Sequence, residues 1–378
     1  EPLQDVHGRV KVSWEVQDWR DFPPEKQDAR LRTYLAADRR QGFHMNEPPL
    51  MRLALFRIGD AEYQFLWTFH HALLDGRSFL LVLKDVFGVY DAAFQGRESQ
   101  IPNPGPYRDF IAWLGQQDKF ASETFWRETL KGFFSPTQMR IETQFKEKSN
   151  EREEHGEEEL RLSESLTSSL KVSADLYGIT VNTLVQGAWV LLVSRYSGEE
   201  DVVYGATRAG RHWSPAGAEE MVGLFINTLP VRVTAPPDAE LGPWLKKLRE
   251  QHVAVRKHEH VSLIDIQGWS DVPRGVPLFE TLVVFENFLL DSALKTKGGL
   301  WTNRDLTLLE QTSFPLTLSG YLESELILRI EYDRSRYGKS TISRMLTHLQ
   351  TLLGGMVDQP ERTLGSMPIL SKEACDQI

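Results

Sequence analysis

Two histidines stand side by side at His70 and His71, four residues ahead of an Asp75–Gly76 step. An imidazole titrates near neutral pH, so a histidine in this place could take a proton from a nucleophile. Tyr63, Phe65, Trp67, Phe69 and His71 alternate with Gln64, Leu66, Thr68 and His70, which predicts a strand running into the pair. If that strand continues through both histidines, their rings face opposite sides, one held in the core and the other facing a cavity. After Gly76 the apolar residues Phe79, Leu80, Val82, Leu83, Val86, Phe87 and Tyr90 recur at helical spacing. A helix therefore starts at the Asp-Gly step, and its first backbone N–H groups have no partner within it. Such amides suit a developing negative oxygen. Asp75 reads as a structural anchor, because a carboxylate at a tight turn beside a helix start is normally capped or salt-bridged. A bare His-His pair is also compatible with one satisfied core histidine and one exposed neighbour. The Asp-Gly at this spacing, with a strand before and a helix after, turns the balance toward chemistry.

The elements that must position these groups lie in a chain of 378 residues, long enough for a large core and for two or three domains. Hydrophobic residues make up 41% and charged residues 25%, a globular balance. A net charge of -10 argues against nucleic acid as the main partner, since phosphate binding needs a basic face. The single cysteine, Cys375, rules out an internal disulfide framework and suits the cytoplasm. The first residues carry no basic-then-apolar leader, and the longest apolar run, Gly187 to Val193, is too short to span a bilayer.

Along the first part, strands are expected at 9–19, 50–59 and 62–71, with a helix over 25–41 closed by Gly42. A Pro/Gly-rich loop at 101–110 leads to a helix over 123–133. The stretch from Phe145 to Leu160 is almost wholly charged and reads as a solvated linker or exposed loop over 146–160. It divides an N-terminal lobe, 1–145, from a C-terminal lobe, 161–357, with a tail over 358–378. The second part carries helices near 168–178, 181–198, 241–260 and 340–356, and strands near 201–207, 225–233, 281–288, 315–322 and 324–333. Mixed strands and helices in both parts predict an α/β or α+β layered class. His252, His258 and His260 sit near one another, but no complete ligand set accompanies them, and helix-end histidines exposed beside Lys257 are the better account, so no metal is expected. The glycines of 205–210 form neither a P-loop nor a dinucleotide fingerprint.

The segment His70–Gly76, HHALLDG, resembles the HHxxxDG signature of condensation domains in nonribosomal peptide synthetases, members of the chloramphenicol-acetyltransferase-like acyltransferase superfamily. Further segments resemble that family's motifs in the family's order. Tyr107–Trp113 is similar to YxDFAxW, Tyr204–Arg211 to G-x-x-x-x-G-R, Val222–Val233 to GxFVNT, and Tyr332–Tyr337 to the late RDxSR motif. The family's opening S-x-A-Q-x-R-x-W and R-H-E-x-L-R-T-x-F motifs have no counterpart, so the N-terminal lobe is expected to lack its start. The last residues resemble the passage from a condensation domain into an adenylation domain, which makes such a domain the expected neighbour.

The resemblance implies two chloramphenicol-acetyltransferase-like lobes in a V-shaped pseudodimer with a tunnel between them. It implies an acyltransferase that joins an acyl or peptidyl thioester on an upstream donor carrier protein to the amine of an aminoacyl thioester on a downstream acceptor carrier protein. The phosphopantetheine arms of those carriers come in as substrates, and no cofactor is bound directly. By position, His71 is the functional histidine, removing a proton from the amine or orienting it, and His70 the structural one. Gly76 N–H would hold the oxyanion, and Asp75 would be salt-bridged, with Arg211 as the preferred partner. Ser78 and Asn227 are the candidates for the tunnel lining. Retention of both histidines argues against the cyclizing relatives, and the GxFVNT-like segment argues against epimerization. Ester formation would use the same residues, and a catalytically inactive carrier-protein docking domain is the non-enzyme alternative.

Overall fold

The computed structural model describes residues 4–99, 101, 103–139, 141, 155–211, 214–286, 304–359 and 361–370. Two compact units emerge, one formed by Glu1–Asp109 with Ala216–Phe225, the other by Phe110–Pro215 with Ile226–Ile378. This division differs from the expected one. The boundary falls near residue 110 rather than 145, and ten residues from far along the chain belong to the first unit.

In the first unit, β1 (Ser13–Asp18), α1 (Pro24–Gln41), β2 (Met51–Arg57), β3 (Tyr63–Phe69) and α2 (Gly76–Phe94) follow in order. The sheet order is β1-β2-β3, with β1 parallel to β2 and β2 antiparallel to β3. The parallel pair needs a crossover, which α1 supplies. Pro23 and Pro24 open α1 at positions where a missing N–H costs nothing, and Gly42, at φ 58°, closes it in a backbone region that disfavours a side chain. Arg52 on β2 ties the end of α1 to the sheet, its Nε 2.7 Å from Asp38 Oδ1. The two faces of β3 do different work, as their alternation predicts. Leu66 packs on the core of Trp19, Ala54 and Phe56, where the Trp19 and Phe56 rings stack at 4.0 Å. Trp67 and Phe69, on the other face, meet Phe79 of α2 at 5.2 and 5.5 Å. That aromatic contact sets the height of α2 against the strand that carries the histidines.

The second unit is built on a six-stranded mixed sheet, order β4-β9-β8-β7-β5-β6. Its strands are β4 (His155–Arg161), β5 (Asp201–Arg208), β6 (Asn227–Thr234), β7 (Thr281–Glu286), β8 (Leu316–Leu322) and β9 (Leu326–Asp333). The helices are α3 (Tyr107–Leu114), which begins in the first unit, then α4 (Lys119–Leu130), α5 (Glu164–Tyr177), α6 (Val181–Ser197), α7 (Leu241–Val255), α8 (Leu263–Trp269) and α9 (Lys339–Asp358). Both sheet faces are covered. Val202, Tyr204 and Ala206 of β5 enter a core with α5, α6, α7 and α9, whereas Val203 enters a second core with Trp126 and Leu130 of α4 and Ile266 of α8. α6 is buried from Thr183 to Val193 without a break, which explains an apolar run with no polar face. Among the described residues no single helix is long and apolar enough to cross a membrane.

Three expectations need correction. His155–Leu160, expected within an exposed linker, lies in β4, paired antiparallel with β9; its charges fall on an edge strand, where Glu159 meets Arg329 at 2.8 Å. Residues 145–154 of the charged stretch lie outside the described residues. The start of the expected tail is also core: Leu364 and Met367 are buried with α6 and α9, and Arg195 Nη2 donates to Leu364 O at 2.9 Å. Cys375 and its neighbours over 371–378 lie outside the described residues. Helix α3 occupies the end of the expected loop, because Pro104 and Pro106 mark the approach to a helix and not its absence.

His252, expected at an exposed helix end, is instead buried on α7. Burial, with Arg208, Arg249 and Arg256 adding positive charge nearby, holds its pKa down at about 3 from 6.5. The folded chain thus keeps this ring neutral where the unfolded chain protonates it. Stability associated with His252 is complete above pH 6.5 and falls as pH drops from there toward 3. The expected loss between pH 6.5 and 5 is about 2 kcal/mol. Urea unfolding midpoints measured at pH 7 and pH 5 should show this difference in the parent chain and a reduced one in His252→Leu.

Candidate active site

β3 ends at Phe69, so the ladder finishes before the histidine pair. His70 N–H still donates to Leu50 O at 2.9 Å, but the chain then turns, with Leu73 N–H donating to His70 O at 3.0 Å. The two rings are therefore separated by a turn and not by the pleat of a continuing strand. His70 Nδ1 accepts from the Ala72 amide at 3.1 Å, which places the proton of the neutral ring on Nε2. The His70 ring is half-buried, edge to face with Phe43. His71 is exposed, and among the described residues no hydrogen-bond partner engages its imidazole. One ring is thus fixed by the turn, and the next is exposed with no partner holding it among the described residues.

Asp75 caps α2, its Oδ1 accepting from Ser78 N–H at 2.7 Å. That cap serves the third helical residue. Gly76, as the first, keeps an amide with no acceptor inside the helix. The second carboxylate oxygen, Oδ2, accepts from Phe225 N–H at 3.1 Å, and Asp75 N–H donates to Gly223 O at 3.3 Å. Ser78 Oγ donates to Gly223 O at 2.7 Å and accepts from Gly223 N–H at 2.9 Å. Asp75 and Ser78 are both buried. The anchor role expected of Asp75 accordingly takes the form of a carboxylate shared between a helix cap and a distant backbone.

Tyr107 fastens the same backbone from another side. Its hydroxyl donates to Leu224 O at 2.5 Å, and its ring lies 5.4 Å from Phe225. A Cβ at position 223 would come within 2.1 Å of the Tyr107 ring, so only glycine allows this approach. Three segments singled out by resemblance, around His71, Tyr107 and Gly223, meet in the first unit. Their motifs marked the segments but carried no sign that one would pin another.

Two expected tunnel residues have other occupations. Ser78 is sealed from solvent with its hydroxyl bonded twice to Gly223, so it is a fastener and not a wall. Asn227 Nδ2 donates to Glu259 O at 2.8 Å and Val261 O at 2.6 Å, while Oδ1 accepts from Thr228 N–H. Its donors are spent on a loop. Arg211, which belongs to the second unit, is buried. In the same segment Gly205 faces Phe279, where a Cβ would come within 2.2 Å. His258 Nδ1 and His260 Nε2 both lie on Ser122 Oγ, at 3.0 and 3.2 Å, with His258 stacked on Phe125. Among the described residues no group of three or more His, Cys, Asp or Glu is placed to hold a metal ion.

This arrangement of elements is the fold of solved nonribosomal peptide synthetase condensation domains. A four-domain synthetase structure in the holo form, bound to AMP and glycine, superposes with a TM-score of 0.77 at 22% identity, over 96% of this chain and 28% of that one. A mutant starter condensation domain of rhizomide synthetase, in complex with C8-CoA and Leu-SNAC, gives 0.75 at 18% identity, over 96% of this chain and 81% of that one. The chain belongs to the condensation-domain family, whose profile matches residues 1–378. A linear gramicidin synthase polypeptide of Brevibacillus parabrevis is 40% identical over 377 residues, which is 100% of this chain and 5% of that protein. Chondramide synthase cmdD of Chondromyces crocatus is 39% identical over 377 residues, 100% of this chain and 10% of that protein. The chain thus spans a tenth or less of the length of these two relatives.

Gly223→Ala should destabilise the chain by about 1–3 kcal/mol, because the added methyl forces Tyr107 out of its place. Tyr107→Ala should itself destabilise, and the double variant should lose less than the sum of the two single losses, because the added methyl no longer meets the ring. Equilibrium urea unfolding of the single and double variants checks both outcomes.

Proposed function

We propose that this condensation domain forms an amide bond between an acyl or peptidyl thioester on an upstream carrier protein and the amine of an aminoacyl thioester on a downstream one. The observation that carries the reading is the exposed, unengaged imidazole of His71 in the turn immediately before the first amide of α2. The amine nitrogen attacks the thioester carbonyl, and the tetrahedral oxygen gains negative charge. Gly76 N–H, as a helix-start donor, is suited to stabilise that oxygen. His71 takes the proton from the attacking amine or holds the amine in line. Collapse breaks the C–S bond, and the phosphopantetheine thiol leaves with a proton. His70 holds the turn through its Nδ1, so that the two adjacent imidazoles have separate tasks.

On this reading both acyl groups arrive on phosphopantetheine arms, the chain works beside an adenylation domain in a longer synthetase, and the compartment is the cytoplasm.

The purified domain, supplied with a loaded donor carrier and a loaded acceptor carrier, should yield a dipeptidyl thioester on the acceptor, read by mass spectrometry. His71→Ala should lower that yield by roughly 10²–10⁴-fold. Its melting temperature should stay unchanged, because the ring is exposed and holds nothing in place. Undiminished product from His71→Ala would remove His71 from the mechanism, and no product from the parent chain would leave a carrier-docking role.

A further inference from the structure

α7 and the turn that follows it present Arg249, His252 and Arg256 three and four residues apart, the spacing of one helix face. Arg208, the last residue of β5, lies within electrostatic reach of that face: Arg249 and Arg256 both act on Arg208, and all three arginines act on His252. The Arg208 side chain is only 12% exposed. Its Nε and Nη2 are buried without a hydrogen-bond partner among the described residues, and so is His252 Nε2. Glu259 Oε1 is 3.8 Å from Arg208 Nε, close enough to compensate charge but too far for a hydrogen bond. No ion-pair partner engages Arg249 or Arg256 among the described residues. Three guanidinium groups thus act on one another and on His252, with Glu259 beside Arg208 alone among the contacts described.

Buried donors left unpaired are costly, and more so when charged. Like charges on neighbouring arginines add to the cost. An oxygen acceptor of negative charge removes both penalties at once, and the planar fork of a guanidinium matches two oxygens of one group. The surroundings are otherwise apolar and well packed, with Val255 and Leu248 of α7 buried on either side of His252. We propose that Arg208, Arg249, Arg256 and the Nε2 edge of His252 form a binding site for a small oxyanion, a carboxylate or a phosphate group. Arg208 is the buried anchor, and Arg249 and Arg256, which are half-buried, close the site from the helix side. The neutral His252 in its Nε2–H form supplies a donor without adding to the charge. The site makes no use of His71, so it stands or falls apart from the amide-forming reaction.

The test is calorimetric titration of the full chain with sodium phosphate and, separately, with N-acetylaspartate, each against sodium chloride of matched ionic strength. Saturable binding of either probe is expected, with a rise in melting temperature that grows with probe concentration. Phosphate binding alone assigns the site to a phosphate-bearing ligand, acetylaspartate binding alone to a carboxylate, and either supports the assignment. The Arg249→Gln/Arg256→Gln double variant should bind about tenfold more weakly or worse while keeping its fold, because both side chains reach solvent. Arg208→Gln should lose binding as well, but the double variant decides the matter if Arg208→Gln fails to fold. Binding no stronger than the chloride control, or equal binding by the double variant, would overturn the proposal.

Discussion

A buried carboxylate holds together two stretches of chain that lie 150 residues apart. One oxygen of Asp75 caps α2, the other receives the Phe225 amide, and Ser78 clasps Gly223 through both of its backbone polar groups. These bonds satisfy donors and acceptors that would otherwise be buried unpaired, which is the expensive alternative in an interior. The turn carrying His71 is thereby fixed at both ends. On one side it is held by the His70 amide on Leu50 and on the other by the capped start of α2. The His71 ring can be exposed on a fixed turn because its neighbours on either side are not free to move.

The second unit meets a different demand. A sheet covered on both faces needs strands whose alternate residues enter different cores, and β5 meets this with Val202, Tyr204 and Ala206 on one side and Val203 on the other. Tyr204 is buried in that core, yet its hydroxyl donates to Gln186 Oε1 at 2.7 Å on α6, so a polar atom is admitted only with its partner. Gly205 leaves room for the Phe279 ring on the second face. Arg208 at the end of the same strand is the exception to this economy, since its buried nitrogens lack such partners among the described residues.

Much of this was legible in the sequence where periodicity and end signals agree. α1 with its closing Gly42, α6 as an unbroken apolar run, and the β8–β9 hairpin all follow from local rules. The histidine turn was harder. Its alternating pattern continues two residues past the last ladder pair, and nothing local distinguishes a strand end from a strand when the next residues are polar on both faces. β4 was hidden for the opposite reason: Glu157, Glu158 and Glu159 look solvated, and they are tolerated in a strand because β9 offers Arg329 to Glu157 and Glu159 while Lys339 of α9 meets Glu158. The roles of Ser78, Tyr107 and Gly223 were not readable at all. They depend on which distant backbone arrives at the helix start, and one sequence without pairing information does not state that.

The excursion of residues 216–225 into the first unit means that the chain enters that unit twice. No single cut in the polypeptide separates two self-sufficient halves. A fragment ending at residue 109 would lack the backbone that Asp75 and Ser78 clasp, and a fragment beginning at residue 110 would carry that backbone with nothing to receive it. The histidine turn is therefore a property of both stretches together, in the way a buckle needs both ends of the strap.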